Sequence, residues 1–449
     1  MPSTKTKHAK HTQTRYHAGY EVGYREGLQA GNARYKTLFE GTSIVIPTFN
    51  KVDLLRQCLE SIRQYTDVPY EIIVVDNAST DGTREYLKSL GRGIRYQIED
   101  FNRGFAGAVN KGLMMAHGKT IVLLNNDIIV TKNWLSNMLA CLHSDSNIGL
   151  VGPNTNYVGG EQLISVSYKT IEEMHAFAHQ YNVSDSGKWQ RIDRLVGFCL
   201  LFHRSLLEQT GYLDEGYEVG NFEDDDWVIR VRIQNKALVI AGDTFIHHFG
   251  SQSMRELGTQ FFTVNNRNQD FFHQKWGNPY ELVYQAQQLA PRPSLHAEAC
   301  SIQAFYPTHM IVKGIGPQLY WVEQGMRHPF HAETGHAYPY TQISQLELRQ
   351  WRKGEEVSFE DVIAKWNRSA MHPSSPEAMQ HNTGVIVEDV HGVLYQLNHT
   401  YRRRLINAYA ASQWHLQSRP RSTWSDEQLN LYIEGFPIIA PPQLRNMEL

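Results

Sequence analysis

Ser43-Ile44-Val45-Ile46-Pro47-Thr48-Phe49-Asn50 opens a pattern that runs to about residue 150 and sets the fold. The run is apolar until it reaches Pro, Thr and Asn, as a strand buried on both faces reads where it enters a loop. Residues 71–76, 94–99 and 120–124 read the same way. Between them, residues 51–65, 80–90, 104–116 and 132–142 space their apolar residues as amphipathic helices do. This alternation predicts an α/β fold, a mostly parallel sheet with helices on both faces. Such sheets bind ligands at the carboxyl ends of their strands.

Further along, residues 154–188 are polar and loop-rich, with a helix expected near 171–180. A strand over 195–202, a helix over 225–234, a strand over 238–246 and a closing helix over 256–276 complete a domain of residues 41–280. An Ala/Pro/Gln-rich stretch marks a linker at 281–300. Residues 301–449 contain a weak repeat: Leu319-Tyr320-Trp321-Val322 and Leu394-Tyr395-Gln396-Leu397 lie 75 positions apart. Each follows an apolar pair, precedes a basic cluster and closes on Gly354 or Gly435, which predicts two copies of a small β-rich unit. Their aromatic and basic residues suit binding of a glycan, a protein or a partner. Packing on the first domain is the other use. Residues 1–40 repeat Tyr16, Tyr20, Tyr24 and Gly19, Gly23, Gly27, Gly31 every fourth position, a pair of helical stripes suited to a homodimer contact.

A formal charge of −3 over 449 residues, with 20% charged side chains, excludes a basic nucleic-acid binder. No apolar run approaches the ~20 residues that span a bilayer. Four scattered cysteines fit neither a metal site nor a disulfide framework, and a cytoplasmic protein is expected.

Chemistry gathers at the strand ends. Asp76 stands at the tip of the second strand, where a carboxylate can accept from a base or ribose. Asn102-Arg103-Gly104 leads into a small-residue helix start that a phosphate could approach. Asn125-Asn126-Asp127 follows the fourth strand, where a carboxylate can hold a divalent cation. His247-His248 ends a later strand, and an imidazole shifts preference from Mg²⁺ towards Mn²⁺. Between these last two lies Glu223-Asp224-Asp225-Asp226-Trp227, four consecutive acids whose charges raise one another's pKa.

Taken in this order, residues 43–276 resemble a family 2 glycosyltransferase with the GT-A fold. The resemblance implies metal-dependent, inverting transfer of a hexosyl, deoxyhexosyl or N-acetylhexosaminyl group. The donor would be a nucleotide-diphosphate sugar and the acceptor a glycan or protein hydroxyl. It implies nucleotide binding by Pro47, Thr48, Asn50, Asp76, Asn102, Arg103, Gly104, Asn125 and Asn126. Asp127 and His248 would hold Mn²⁺ or Mg²⁺, with Asn125 in place of the first acid of the Asp-X-Asp motif. Asp224 would be the catalytic base, with Glu223 and Asp226 positioning beside it. Trp227 would stack on the acceptor or anchor its helix in the core. A nucleotidyltransferase would need a basic phosphate signature that residues 46–51 lack. A scaffold with a dead transferase domain would not need Asp127, Asp224 and His248 together.

Overall fold

The computed structural model describes residue 22 and residues 37–250, 260–289, 301–332, 338–446 and 448–449. The glycine and tyrosine stripes of residues 1–40 lie outside the described residues.

The first half of the main sheet follows the sequence pattern. Strands β1 (Phe39–Thr48), β2 (Tyr70–Asp76), β3 (Arg95–Ile98) and β4 (Gly118–Leu124) are parallel in the order β3-β2-β1-β4. Helices α1 (Val52–Tyr65), α2 (Thr83–Ser89) and α3 (Gly104–Met115) connect them. In α1, Leu55, Cys58, Leu59 and Ile62 form the buried stripe that fixes it on the sheet.

The second half holds strands that the sequence pattern did not disclose. After β5 (Ile128–Ile129) and α4 (Trp134–Ser144) comes β6 (Ile148–Thr155). Gly152 is closely packed within it: a Cβ there would stand 2.6 Å from Gln162 Nε2 and 2.8 Å from Leu195 Cδ2. Helix α5 (Ile171–Tyr181), β7 (Trp189–Ile192), β8 (Cys199–His203), α6 (Arg204–Thr210), α7 (Glu223–Ile233) and β9 (Ala237–His248) follow. The sheet continues β8-β6-β9-β5, with β7 also on β9. β8 is antiparallel to β4, and Leu124 faces Cys199. The chain entering β8 therefore meets the chain leaving β4 at one edge, together with the ends of β1, β6 and β9. The result is a mixed α/β sheet, parallel in its first half as the sequence pattern predicts.

Helix α8 (Gln260–Trp276) is followed by α9 (Pro279–Leu289), which corrects the linker reading of 281–289. The alanine and glutamines there serve a helix whose Leu282, Val283, Ala286 and Leu289 are buried. The described part of residues 301–449 forms two five-stranded sheets of one topology. Strands β10 (Met310–Lys313), β11 (Leu319–Glu323), β12 (Met326–Phe330), β13 (Thr341–Gln342) and β14 (Arg352–Lys353) lie in the order β13-β10-β11-β12-β14, and β15 (Ile386–Glu388), β16 (Leu394–Asn398), β17 (Tyr401–Arg404), β18 (Arg421–Thr423) and β19 (Ile433–Glu434) in the order β18-β15-β16-β17-β19. Their central strands are β11 (Leu319–Glu323) and β16 (Leu394–Asn398), 75 positions apart. Gly354 N–H bonds to Arg327 O and Gly435 N–H to Arg402 O, both at 2.9 Å, so the two glycines are equivalent.

One apolar core joins these sheets to the first domain: Ile229 and Ile233 of α7 pack with Trp276, Leu282, Phe305, Val322, Leu405 and Trp414. Within this junction lies an ion network of zero exposure. Lys275 reaches Asp214 at 2.5 Å and Asp226 at 2.6 Å, and Arg230 Nε donates to Asp226 at 2.9 Å. Removing one partner of a buried pair strands a charge. Lys275→Met is expected to lower unfolding free energy by about 3–5 kcal/mol. Urea denaturation checks this, and a loss below about 1 kcal/mol would contradict it.

No described helix is long and apolar enough to cross a membrane. Cys58, Cys141 and Cys199 are buried and free, and Cys300 lies outside the described residues.

Candidate active site

A cavity of about 620 Å³ opens along the edge where β1, β4, β6 and β9 end and β8 begins. Of the residues expected to bind nucleotide, Pro47, Thr48, Asn102, Asn125 and Asn126 line it, as do Asp127, His248, Glu223 and Asp224.

Four expected nucleotide residues stand behind the lining. Asn50 Oδ1 accepts from Thr80 N–H and Asn50 N–H donates to Ser79 Oγ, shaping the turn after β2. Asp76 is fully buried and holds Ser79 N–H through Oδ1 at 3.0 Å. Arg103 is drawn away from the cavity by an ion pair with Glu99 and by the ring of Phe101. Gly104 contributes its carbonyl, which accepts from Asn77 Nδ2. Asn77 takes their place in the lining and ties Asn102 Oδ1 at 2.9 Å.

Asp127 and His248 are brought together by the two-residue pairing of β5 with β9. His248 Nδ1 lies 2.7 Å from Tyr157 O, and a carbonyl only accepts, so Nδ1 carries the hydrogen. In the neutral ring Nε2 is then the lone-pair nitrogen. It stands 3.3 Å from Asp127 Oδ1, buried and without a hydrogen-bond partner. A ring nitrogen oriented by a carbonyl behind it, beside a carboxylate, is the donor set of a divalent cation. Among the described residues no third His, Cys, Asp or Glu joins them, so further ligands would come from substrate or water. His247 points elsewhere, to Tyr168.

The acidic run divides into three environments. Asp226 faces the interior: burial alone would raise its pKa, but Lys275 and Arg230 more than offset this and hold it below the usual carboxylate range. It is a structural ion-pair hub, which corrects its placement at the reacting centre. Glu223 is pushed well above the ordinary value by burial and then by Asp224. Asp224 lies between these extremes at about 6, raised by burial and by Asp225 and lowered by the Gly197 N–H and Arg194. Gly197 N–H donates to Asp224 Oδ2 at 2.7 Å. A cleft carboxyl whose surroundings bring its pKa near neutrality is a candidate general base, and of the three only Asp224 has both properties.

Trp227 is fully buried, with Nε1 donating to Gly211 O at 3.0 Å. It is a core anchor packed edge-on to Phe202, and its expected contact with an acceptor is corrected.

Residues 219–222 lead into α7 with Val219, Asn221 and Phe222 at φ of 59°, 80° and 74°. Left-handed backbone at Val and Phe is costly and needs outside support. Asn268 of α8, 2% exposed, supplies it by bonding to the carbonyls of Glu218, Gly220 and Asn221 and to Glu218 N–H. No local motif marked Asn268, because its partners are some fifty positions away.

Residues 43–211 match the model of "Glycosyl transferase family 2". That match covers less than half of the chain. The chain is 29% identical over 120 residues to "Glycosyltransferase AglE" of Haloferax volcanii, covering 26% of this chain and 39% of that protein. It is 28% identical over 180 residues to "GalNAc(5)-diNAcBac-PP-undecaprenol beta-1,3-glucosyltransferase" of Campylobacter jejuni, covering 39% and 55%. The chain spans less than two thirds of the length of these curated relatives. Among solved structures, GalNAc-T7 with UDP, GalNAc and Mn²⁺ overlaps 65% of this chain and 68% of its own at 15% identity, with a TM-score of 0.39.

Proposed function

We propose that the chain is a metal-dependent inverting glycosyltransferase using a nucleotide-diphosphate sugar. The observation that carries this reading is Asp224, poised near pH 6, facing the same cleft as the Asp127–His248 pair in a chain that matches the family 2 model.

The nucleoside lies along Pro47, Thr48, Asn77 and Asn102, with Asp76 behind them holding the turn through Ser79 N–H. Asp127 and His248 Nε2 hold Mn²⁺ or Mg²⁺, whose chemistry when bound is to neutralise the departing diphosphate. Asp224 takes the proton of the acceptor hydroxyl as its oxygen bonds to the anomeric carbon. The bond from that carbon to the diphosphate breaks on the opposite face, and its electron pair leaves with the diphosphate. Gly197 N–H and Asp225 N–H fix the two Asp224 oxygens at 2.7 and 2.9 Å. Tyr157 and Val158 on one wall and Val219–Gly220 on the other border the acceptor. The acceptor is a glycan or protein hydroxyl, and the protein acts in the cytoplasm.

The test is a panel of nucleotide sugars with Mn²⁺, with Mg²⁺ and with chelator. Release of nucleoside diphosphate from a particular donor, abolished by chelator, is expected. No release, together with no donor binding by calorimetry, would refute the reading.

A further inference from the structure

Val196-Gly197-Phe198, the three residues that lead into β8, tie the two halves of the cleft together. Gly197 N–H holds Asp224 Oδ2 at 2.7 Å. The next ring, Phe198, stacks on the His248 imidazole at 5.4 Å and 15°, and the Phe198 carbonyl accepts from Asn125 N–H at 3.0 Å. Position 197 has no slack, because a Cβ there would stand 2.8 Å from Asp224 Cβ and 3.0 Å from Oδ2. A shift of this tripeptide therefore moves the base and the imidazole together.

Val196 N–H points away from both and donates to Gln162 Oε1 at 2.9 Å. Gln162 is 1% exposed, and its Nε2 donates to Pro153 O at 3.0 Å. Its backbone carbonyl accepts from Thr155 N–H at 2.9 Å. The same segment carries Asn156, whose side chain bonds both the N–H and the C=O of His248, and Tyr157, whose carbonyl orients the imidazole. A buried amide costs free energy unless both ends are bonded, and an apolar side chain would fill this space at less cost. Gln162 uses its two ends to fasten the entry of β8 to the end of β6.

We propose that Gln162 is a positioning residue for the transfer, acting through Val196-Gly197-Phe198 on Asp224 and His248 together. This rests on the transferase reading above. Around Asp224 stand Glu223, Asp225 and Arg194, and Gln162's own hydrogen bonds go to Pro153, Val196 and Thr155, so a change in Asp224 titration on altering Gln162 reports the Gly197 bond.

Gln162→Met keeps length and volume and removes both hydrogen bonds. With the donor that the wild type turns over, kcat is expected to fall about tenfold or more with donor KM within about threefold, a loss confined to the transition state. The Gly197 bond favours the charged carboxylate, so its weakening moves the acid limb of the rate profile upward by roughly half a pH unit or more. A wild-type kcat and limb would overturn the proposal. So would a lower kcat with the limb unmoved, which is what a structural strut gives. If the Met variant does not fold, Gln162→Asn decides: it stays polar but cannot span Val196 N–H and Pro153 O. A raised limb is expected in it, and a wild-type limb overturns the proposal. No turnover by the wild type refutes the transferase reading itself, whereas turnover with unmoved limbs refutes this inference alone.

Discussion

Asp224→Asn is expected to lower kcat by ~10²–10⁴-fold, the usual contribution of a positioned general base. Asn has nearly the same shape, and its carbonyl oxygen can still accept from Gly197 N–H, so fold and donor KM should change little. The pH dependence separates this from other causes of inactivity. Asp224 must be ionised to take a proton, and its pKa is raised to about 6 by burial and Asp225. The wild-type rate should therefore climb with pH up to about 6, tenfold per unit on the acid side, and level off above it. The amide has no such titration, so the residual rate of the variant should lack this limb. Steady-state rates from pH 4.5 to 8 check both points. A variant within a few fold of wild type, or one that keeps the limb, would remove Asp224 from the mechanism.

The second large effect concerns the cation. In Asp127→Asn and His248→Ala, the Mn²⁺ concentration for half-maximal rate is expected to rise by at least the 10–100-fold that changes behind a metal ligand produce. Asp127→Asn is the cleaner test, because it preserves volume, whereas His248→Ala also removes the ring stacked on Phe198. The site makes these two residues matter: Nε2 has no hydrogen-bond partner and stands 3.3 Å from Asp127 Oδ1. Metal titrations of initial rate decide. Unchanged half-activation in both variants would mean that the cation, if one is used, sits elsewhere.

What could be read before the structure depended on how local the cause was. The runs at 43–49, 71–76 and 120–124 declared buried strands because apolar continuity is a local property, and β1, β2 and β4 stand there. β6 did not, because its glycines and proline are dictated by neighbours such as Gln162 and Leu195, which only the fold brings close. Likewise the spacing of Glu223, Asp224 and Asp226 could not sort their roles. What withdraws Asp226 is Lys275 and Trp276, the latter 50 positions downstream. Arg103 looked like a phosphate ligand until Glu99, four residues away, claimed it. The 75-residue repeat was legible from a few aligned apolar and basic residues, since equivalent strands need equivalent patterns.

The account stands or falls on attack by an Asp224-activated hydroxyl from the face opposite the diphosphate. The most direct measurement uses water as the acceptor and follows the anomeric proton by NMR during the first minutes of donor hydrolysis, before mutarotation. From an α-linked donor, the account predicts that the β-anomer of the free sugar appears first, and that Asp224→Asn does not form it. First appearance of the α-anomer would mean retention, and would contradict the single-base mechanism drawn around Asp224.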